Sequence, residues 1–212
     1  MKKSYLVFVI FFLSLILDQT LKLFIKLNYR IGQESNFIGD WLKLYFIENN
    51  GMALNYSFIG INGKVFLVAL RLIIAFVLTF FIFRFLKKNI RLIPVLGLVF
   101  ILAGTIGNLI DNTFYGLFFS ESTKYSYSEF LANGNGYAPA FDGKVVDMLQ
   151  LNLVDISKEN APKWLPDMFY GYDGRFKLFR FVFNLADLFI IIGVVIALFF
   201  DFKSKEKQRS II

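Results

Sequence analysis

Residues able to do chemistry fall in five short polar clusters set in otherwise apolar sequence. Asp18 and Lys22 stand four apart, on one helix face and in the favourable acid-then-base order. Asn49-Asn50-Gly51-Met52-Ala53-Leu54 follows an alternating stretch, and Gly104-x-x-Gly107-Asn108-Leu109-Ile110-Asp111-Asn112 closes a long apolar run. Val145-Val146-Asp147-Met148 and Phe183-Asn184-Leu185-Ala186-Asp187 complete the set. Histidine and cysteine are absent. That excludes Ser-His and Cys-His nucleophiles, Cys/His zinc sites and disulfides, so any hydrolysis rests on carboxylates, Lys, Ser/Thr or Tyr.

The elements carrying these clusters belong in a membrane. Hydrophobic residues make up 57% of the chain against 18% charged, with mean hydropathy +0.58, well beyond soluble composition. Four apolar runs predict spans at 5–27, 65–86, 92–111 and 178–200. The first begins like a signal peptide, but no A-x-A-like site follows and an amphipathic tail extends it, so an uncleaved helix is expected. Lys and Arg concentrate at the N-terminus, in the 84–91 link and in the C-terminal tail, whereas 28–63 and 112–177 are net acidic. By the positive-inside rule both termini are cytoplasmic and the two long segments face outward. No basic stripe interleaved with aromatics points to nucleic acid.

The outward segments have structure of their own. Residues 36–59, with Trp41-Leu42-Lys43-Leu44-Tyr45-Phe46-Ile47, alternate as a strand does, and Val145–Leu153 reads as a second short strand. Residues 120–145 read as loop or short hairpin, and 160–174 as an aromatic belt along the membrane surface. The expected fold is α-helical and membrane-integral, four helices with a small β-containing outward subdomain, in one domain over 1–212.

Taken singly, each cluster has a structural explanation. Asp18/Lys22 suits an ion pair between packed helices, Gly104 and Gly107 suit close helix approach, and Asn108/Asp111 or Asn184/Asp187, three apart, suit caps. Their joint placement toward the outward ends of the helices does not follow from such separate needs.

In order and wording, D-x-x-x-K, N-x-G-x-A, G-N-x-x-D, V-V-D and F-N-x-A-D on four spans resemble the lipoprotein signal peptidase (signal peptidase II) family. The resemblance runs from Asp18 to Asp187. It implies an intramembrane aspartyl endopeptidase of the bacterial inner membrane that cuts prolipoproteins before the diacylglyceryl-modified cysteine, acting as a monomer without a cofactor or metal. It also implies that Asp147 and Asp187 are the catalytic pair, supported by Asp18, Lys22, Asn49, Gly51, Ala53, Gly107, Asn108, Asp111, Asn184 and Ala186.

Physics agrees with that reading. Two carboxylates sharing a site push one pKa up, so one group takes a proton from water while the other donates. Two features depart from the family pattern. Asn112 stands where the family usually has Arg, and Arg175 or Arg180 is expected to supply the missing cation. The segments 113–146 and 152–177 are also longer than in compact members. A small transporter or proton relay is the rival reading; it expects acids spread through the membrane depth and internal repeats, and the sequence has neither.

Overall fold

The computed structural model describes residues 3–51, 63–88, 90–162, 164–170, 174–177 and 181–200. Ala53, Arg180 and the basic tail after 200, all named above, lie outside them. Among the described residues, three helices are long and apolar enough to cross a membrane: α1 Lys3–Asn28, α2 Gly63–Lys87, and α3 Leu92–Ile110 with its continuation to Phe118. Their outer faces are apolar, with Phe8, Phe76 and Phe83 all exposed. That arrangement suits a lipid solvent, where side chains need no burial to be favourable.

α3 does not stop at its polar C-terminus. It passes into a π-helical turn, Asp111–Tyr115, and a single helical turn, α4 Gly116–Phe118. The expected outward segment from 112 therefore begins as helix. A π-turn widens the backbone spiral by one residue and is frequent at functional sites. Here it turns Asp111 and Asn112 inward, both buried.

In the fourth run, the described residues before Leu185 are not helical. Val182–Phe183 form β6, and the helix α5 covers Leu185–Phe199, 15 residues. An apolar run does not by itself separate strand from helix. The boundary is set by Asn184, whose side chain caps α5 in a reciprocal pair with Asp187: Asp187 N–H donates to Asn184 Oδ1 at 2.9 Å, and Asn184 N–H to Asp187 Oδ2 at 3.3 Å.

α5 packs on α3 along small residues. A Cβ on Gly97 would lie 2.9 Å from the Gly193 carbonyl oxygen, and one on Gly193 would strike Gly97 in turn. This close approach needs glycine on both sides.

The outward subdomain is a four-stranded antiparallel sheet, in order β1 (Glu34–Ile38), β2 (Leu42–Asn49), β3 (Val145–Leu151) and β6. Both strands expected from the alternating pattern are present. A bulge in β2 lies between the pairs Leu44↔Leu149 and Ile47↔Asp147, next to the aspartate. Phe46, Met148, Val146, Ile25 and Tyr115 form the core joining the sheet to α1 and the π-turn. Residues 119–144 are loop, with one isolated bridge, Phe119 to Phe130. A second small sheet pairs β4 (Asp155–Ser157) with β5 (Arg175–Lys177).

Candidate active site

β3 and α5 bring Asp147 and Asp187 to one cleft. Val145–Leu149 is buried throughout, as a strand enclosed between the sheet's neighbours and the helices must be, and Asp147 is 2% exposed. Asp187 is half-buried in the first turn of α5, its position fixed by the cap with Asn184.

Neutral amides hold both carboxylates. Asn184 Nδ2 donates to Asp147 Oδ1 at 2.6 Å, and Asn49 Nδ2 to Asp147 Oδ2 at 3.1 Å. Asn108 Nδ2 donates to Asp187 Oδ1 at 2.9 Å. The second hydrogen of Asn184 Nδ2 reaches Asn108 Oδ1 at 3.2 Å, so one chain of amides spans the two aspartates. Asn49 is set by the turn after β2: Gly51 N–H donates to Asn49 Oδ1 at 2.8 Å, with Gly51 at φ +76, where glycine has no Cβ penalty. Burial pushes the Asp147 carboxyl up to about 7, and the charge of Asp187 adds to the effect, while the bonds from Asn49 and Asn184 oppose it.

A second cluster lies behind the first. Lys22 Nζ meets Asp18 Oδ2 at 3.0 Å, Asp111 Oδ2 at 2.9 Å and Asn108 Oδ1 at 2.9 Å, all fully buried or nearly so. Asp18 Oδ1 accepts from Ala186 N–H at 2.8 Å, placing a carboxylate at the N-terminus of α5, where the helix dipole favours negative charge. Asp111 Oδ2 accepts from Val146 N–H at 3.2 Å and so fixes β3 beside Asp147. Gly107 makes room for Asp18: a Cβ there would lie 2.6 Å from Asp18 Oδ2. Every predicted site residue among those described thus joins one network, with Ala186 fully buried against Gly104 and Gly107.

Four contributors were not assigned from sequence. Gln19 Nε2 bridges Asp18 (3.0 Å), the Gly107 carbonyl (3.1 Å) and Asp111 Oδ1 (3.1 Å), while Tyr115 donates to Gln19 Oε1 at 3.2 Å. The polar Gln19 beside Asp18 in an apolar helix was the available signal. Arg71 donates through Nη1 to Asn112 Oδ1, and Asn112 Nδ2 donates to the Gly143 carbonyl at 2.8 Å. Arg175 instead lies exposed in β5, on the small second sheet.

Asn49, Gly51, Leu67, Arg71, Asn108, Asn112, Asp147 and Asp187 border a cleft of about 40 Å³, room for a water between the two carboxylates. Such a site can activate water on one carboxylate and donate a proton from the other.

The family model described as Signal peptidase (SPase) II matches residues 10–203. A lipoprotein signal peptidase of Porphyromonas gingivalis (strain ATCC 33277) is 35% identical over 187 residues, 88% of this chain and 78% of the relative. One of Amoebophilus asiaticus (strain 5a2) is 32% identical over 200 residues, covering 92% and 77%. A solved bacterial membrane enzyme shares the fold, with TM-score 0.57 at 22% identity over 91% of this chain and 89% of that one. On the match across nearly its whole length and the identity to these relatives, the chain belongs to the signal peptidase II family of aspartic peptidases.

Proposed function

We propose that Asp147 and Asp187 are the catalytic dyad of a membrane endopeptidase that removes signal peptides from diacylglyceryl-modified prolipoproteins, cutting before the lipid-bearing cysteine. The observation that carries this reading is a pair of carboxylates on one small cleft, each held by neutral amides. Such partners orient a carboxylate without fixing its charge. The reaction needs one member of the pair ionised and the other protonated. The ionised member takes a proton from water as the oxygen attacks the scissile carbonyl. The protonated member hydrogen-bonds that carbonyl and then protonates the leaving nitrogen, which breaks the C–N bond.

Asn49, Asn108 and Asn184 keep the carboxylates oriented, and Gly51 shapes the turn that presents Asn49. Asp18, Lys22, Gly107, Asp111 and Ala186 brace α1, α3, β3 and α5 around the dyad. Ala53, by its place in N-x-G-x-A, belongs with Asn49. The whole of 1–212 acts as one domain and one copy, with both termini cytoplasmic and the cleft toward the outer face of the inner membrane. The acidic groups gather at one end of the helices, which argues against a transport path through the membrane depth.

The substrate's acyl chains would lie on the apolar helix faces in the outer leaflet. Burial contributes about 0.8 kcal/mol per CH₂, enough to hold the peptide at the cleft through slow chemistry. The test is purified protein in lipid bilayers given one prolipoprotein with and without diacylglyceryl. Release of the signal peptide from the lipidated form alone is expected. Equal turnover of both forms, or of neither, contradicts the reading.

A further inference from the structure

Two arginines interrupt α2. Arg84 sits in its last turn with Lys87, as the positive-inside rule requires. Arg71 lies eight residues after Gly63, about 12 Å along the helix, at a depth where a guanidinium needs protein or water to face. It faces the cleft that also holds Asp147 and Asp187. Its anchor is the oxygen of Asn112, and that side chain is clamped in turn. Asn112 Nδ2 donates to the Gly143 carbonyl at 2.8 Å, and Gly143 N–H returns a bond to the Asn112 carbonyl at 2.8 Å. The amide is therefore fixed with its acceptor toward the arginine. A guanidinium carries five N–H donors, more than one amide oxygen can take.

The other cations nearby have carboxylate partners of their own, although the charge of Lys22 also reaches Asp147. Lys64 borders the cleft but pairs with Asp142 at 2.7 Å, and Lys22 is held between Asp18 and Asp111. Among the described residues Arg71 makes no direct ion pair, yet the carboxylates of Asp187, Asp111 and Asp147 all lie within its electrostatic reach. Position 112 carries an amide where the family resemblance led us to expect a guanidinium, and the guanidinium meets that amide from α2 instead.

We infer that Arg71, anchored by Asn112, is a positioning residue that supplies the fixed cation of the site and so sets the pH range over which the Asp147/Asp187 pair shares a single proton. This rests on the dyad reading above. A cation beside carboxylates favours their ionised forms, so removing it moves the pair's titration toward alkaline pH.

The test compares Arg71→Gln, Arg71→Lys and the relocated pair Arg71→Gln/Asn112→Arg. One readout is the infrared signal of protonated carboxyl in ligand-free protein in lipid bilayers, titrated with pH. The other is the pH profile of kcat/KM on a lipidated prolipoprotein. Arg71→Gln should shift both toward alkaline pH by about one unit, the low end for a cation beside a carboxylate. Arg71→Lys and the relocated pair should restore the original profile. The relocated pair keeps the charge in the cleft, so it decides the matter even where Arg71→Gln fails to fold. An unshifted titration in folded Arg71→Gln, or an alkaline-shifted one in the relocated pair, overturns the assignment. Because the infrared titration needs no substrate, a wild-type protein that fails to cleave would overturn the dyad's proposed reaction and leave this result standing.

Discussion

Two pairs of aspartates lie within one network and are treated in opposite ways. Asp18 and Asp111 share the ammonium of Lys22 at 3.0 and 2.9 Å, with Gln19 bridging both. Asp147 and Asp187 meet amides, from Asn49, Asn184 and Asn108. Burial alone does not account for the difference: Asp187 is half-buried, but Asp147 at 2% exposed is as enclosed as Asp18 at 1%. The partner does. An ammonium ties a buried carboxylate into an ion pair and turns it into a brace. Amides hold its geometry while leaving it free to gain and lose a proton, which is what acid–base chemistry requires.

The largest effect that tests this contrast is on turnover. Asp147→Asn and Asp187→Asn should each lower signal-peptide release by roughly 10³-fold or more, within the range for a lost general acid or base, at near-normal folded yield. Retained activity in either purified variant removes that residue from the dyad.

Next comes the brace. Lys22→Met leaves Asp18 and Asp111 buried without their cation, and removing one partner of a buried pair costs about 3–5 kcal/mol. Folded yield and thermal midpoint should fall sharply. The triple variant Asp18→Asn/Lys22→Met/Asp111→Asn should recover much of that loss, because no uncompensated charge remains. A triple variant no better than the single one means the cluster acts through more than charge.

Gly107→Ala should be milder. The added methyl would have to displace Asp18 Oδ2, 2.6 Å away, and overpacking of this kind typically costs about 1–3 kcal/mol. Wild-type stability and turnover would show that Asp18 is free to move, against the tight brace described.

The smallest effect is a pH dependence of stability. The folded carboxyl of Asp147 is raised from 3.8 to about 7, so the folded state holds this proton more tightly than the unfolded chain. Its contribution is fully present below the unfolded value and declines as pH rises from there through about 7. Asp147→Asn should remove that decline and stabilise the protein at pH 8 relative to pH 5, as read by thermal unfolding. A difference of the opposite sign would mean Asp147 is ionised at rest.

Much of this was legible in the sequence. The spans 5–27 and 65–86 correspond to α1 and α2 because a long, mostly apolar run has few alternatives to helix in lipid. Val145–Leu153 and the stretch around Trp41–Ile47 disclosed β3 and β2 by period and β-branched content. The polar clusters could be collected because each stood in apolar surroundings, where a polar residue needs a reason. Three features were hidden. The start of α5 depended on the Asn184 cap, and the residues just before it pair as β6. The extension of α3 depended on a π-turn, a rare geometry without a sequence period of its own. Arg71 had no role assigned from sequence, and only the packing of α2 against α3 brings it to Asn112 at the end of that helix. A contact between residues 41 apart is a property of the fold.

The division between dyad and brace is tested most directly by comparing Asp18→Asn with Asp147→Asn. Both replace one buried carboxylate by its isosteric amide. Single-turnover cleavage of a lipidated prolipoprotein, at matched folded protein, should be partly reduced for Asp18→Asn and absent for Asp147→Asn. If Asp18→Asn proves as inactive as Asp147→Asn at equal folded yield, the two pairs do not divide the work as proposed.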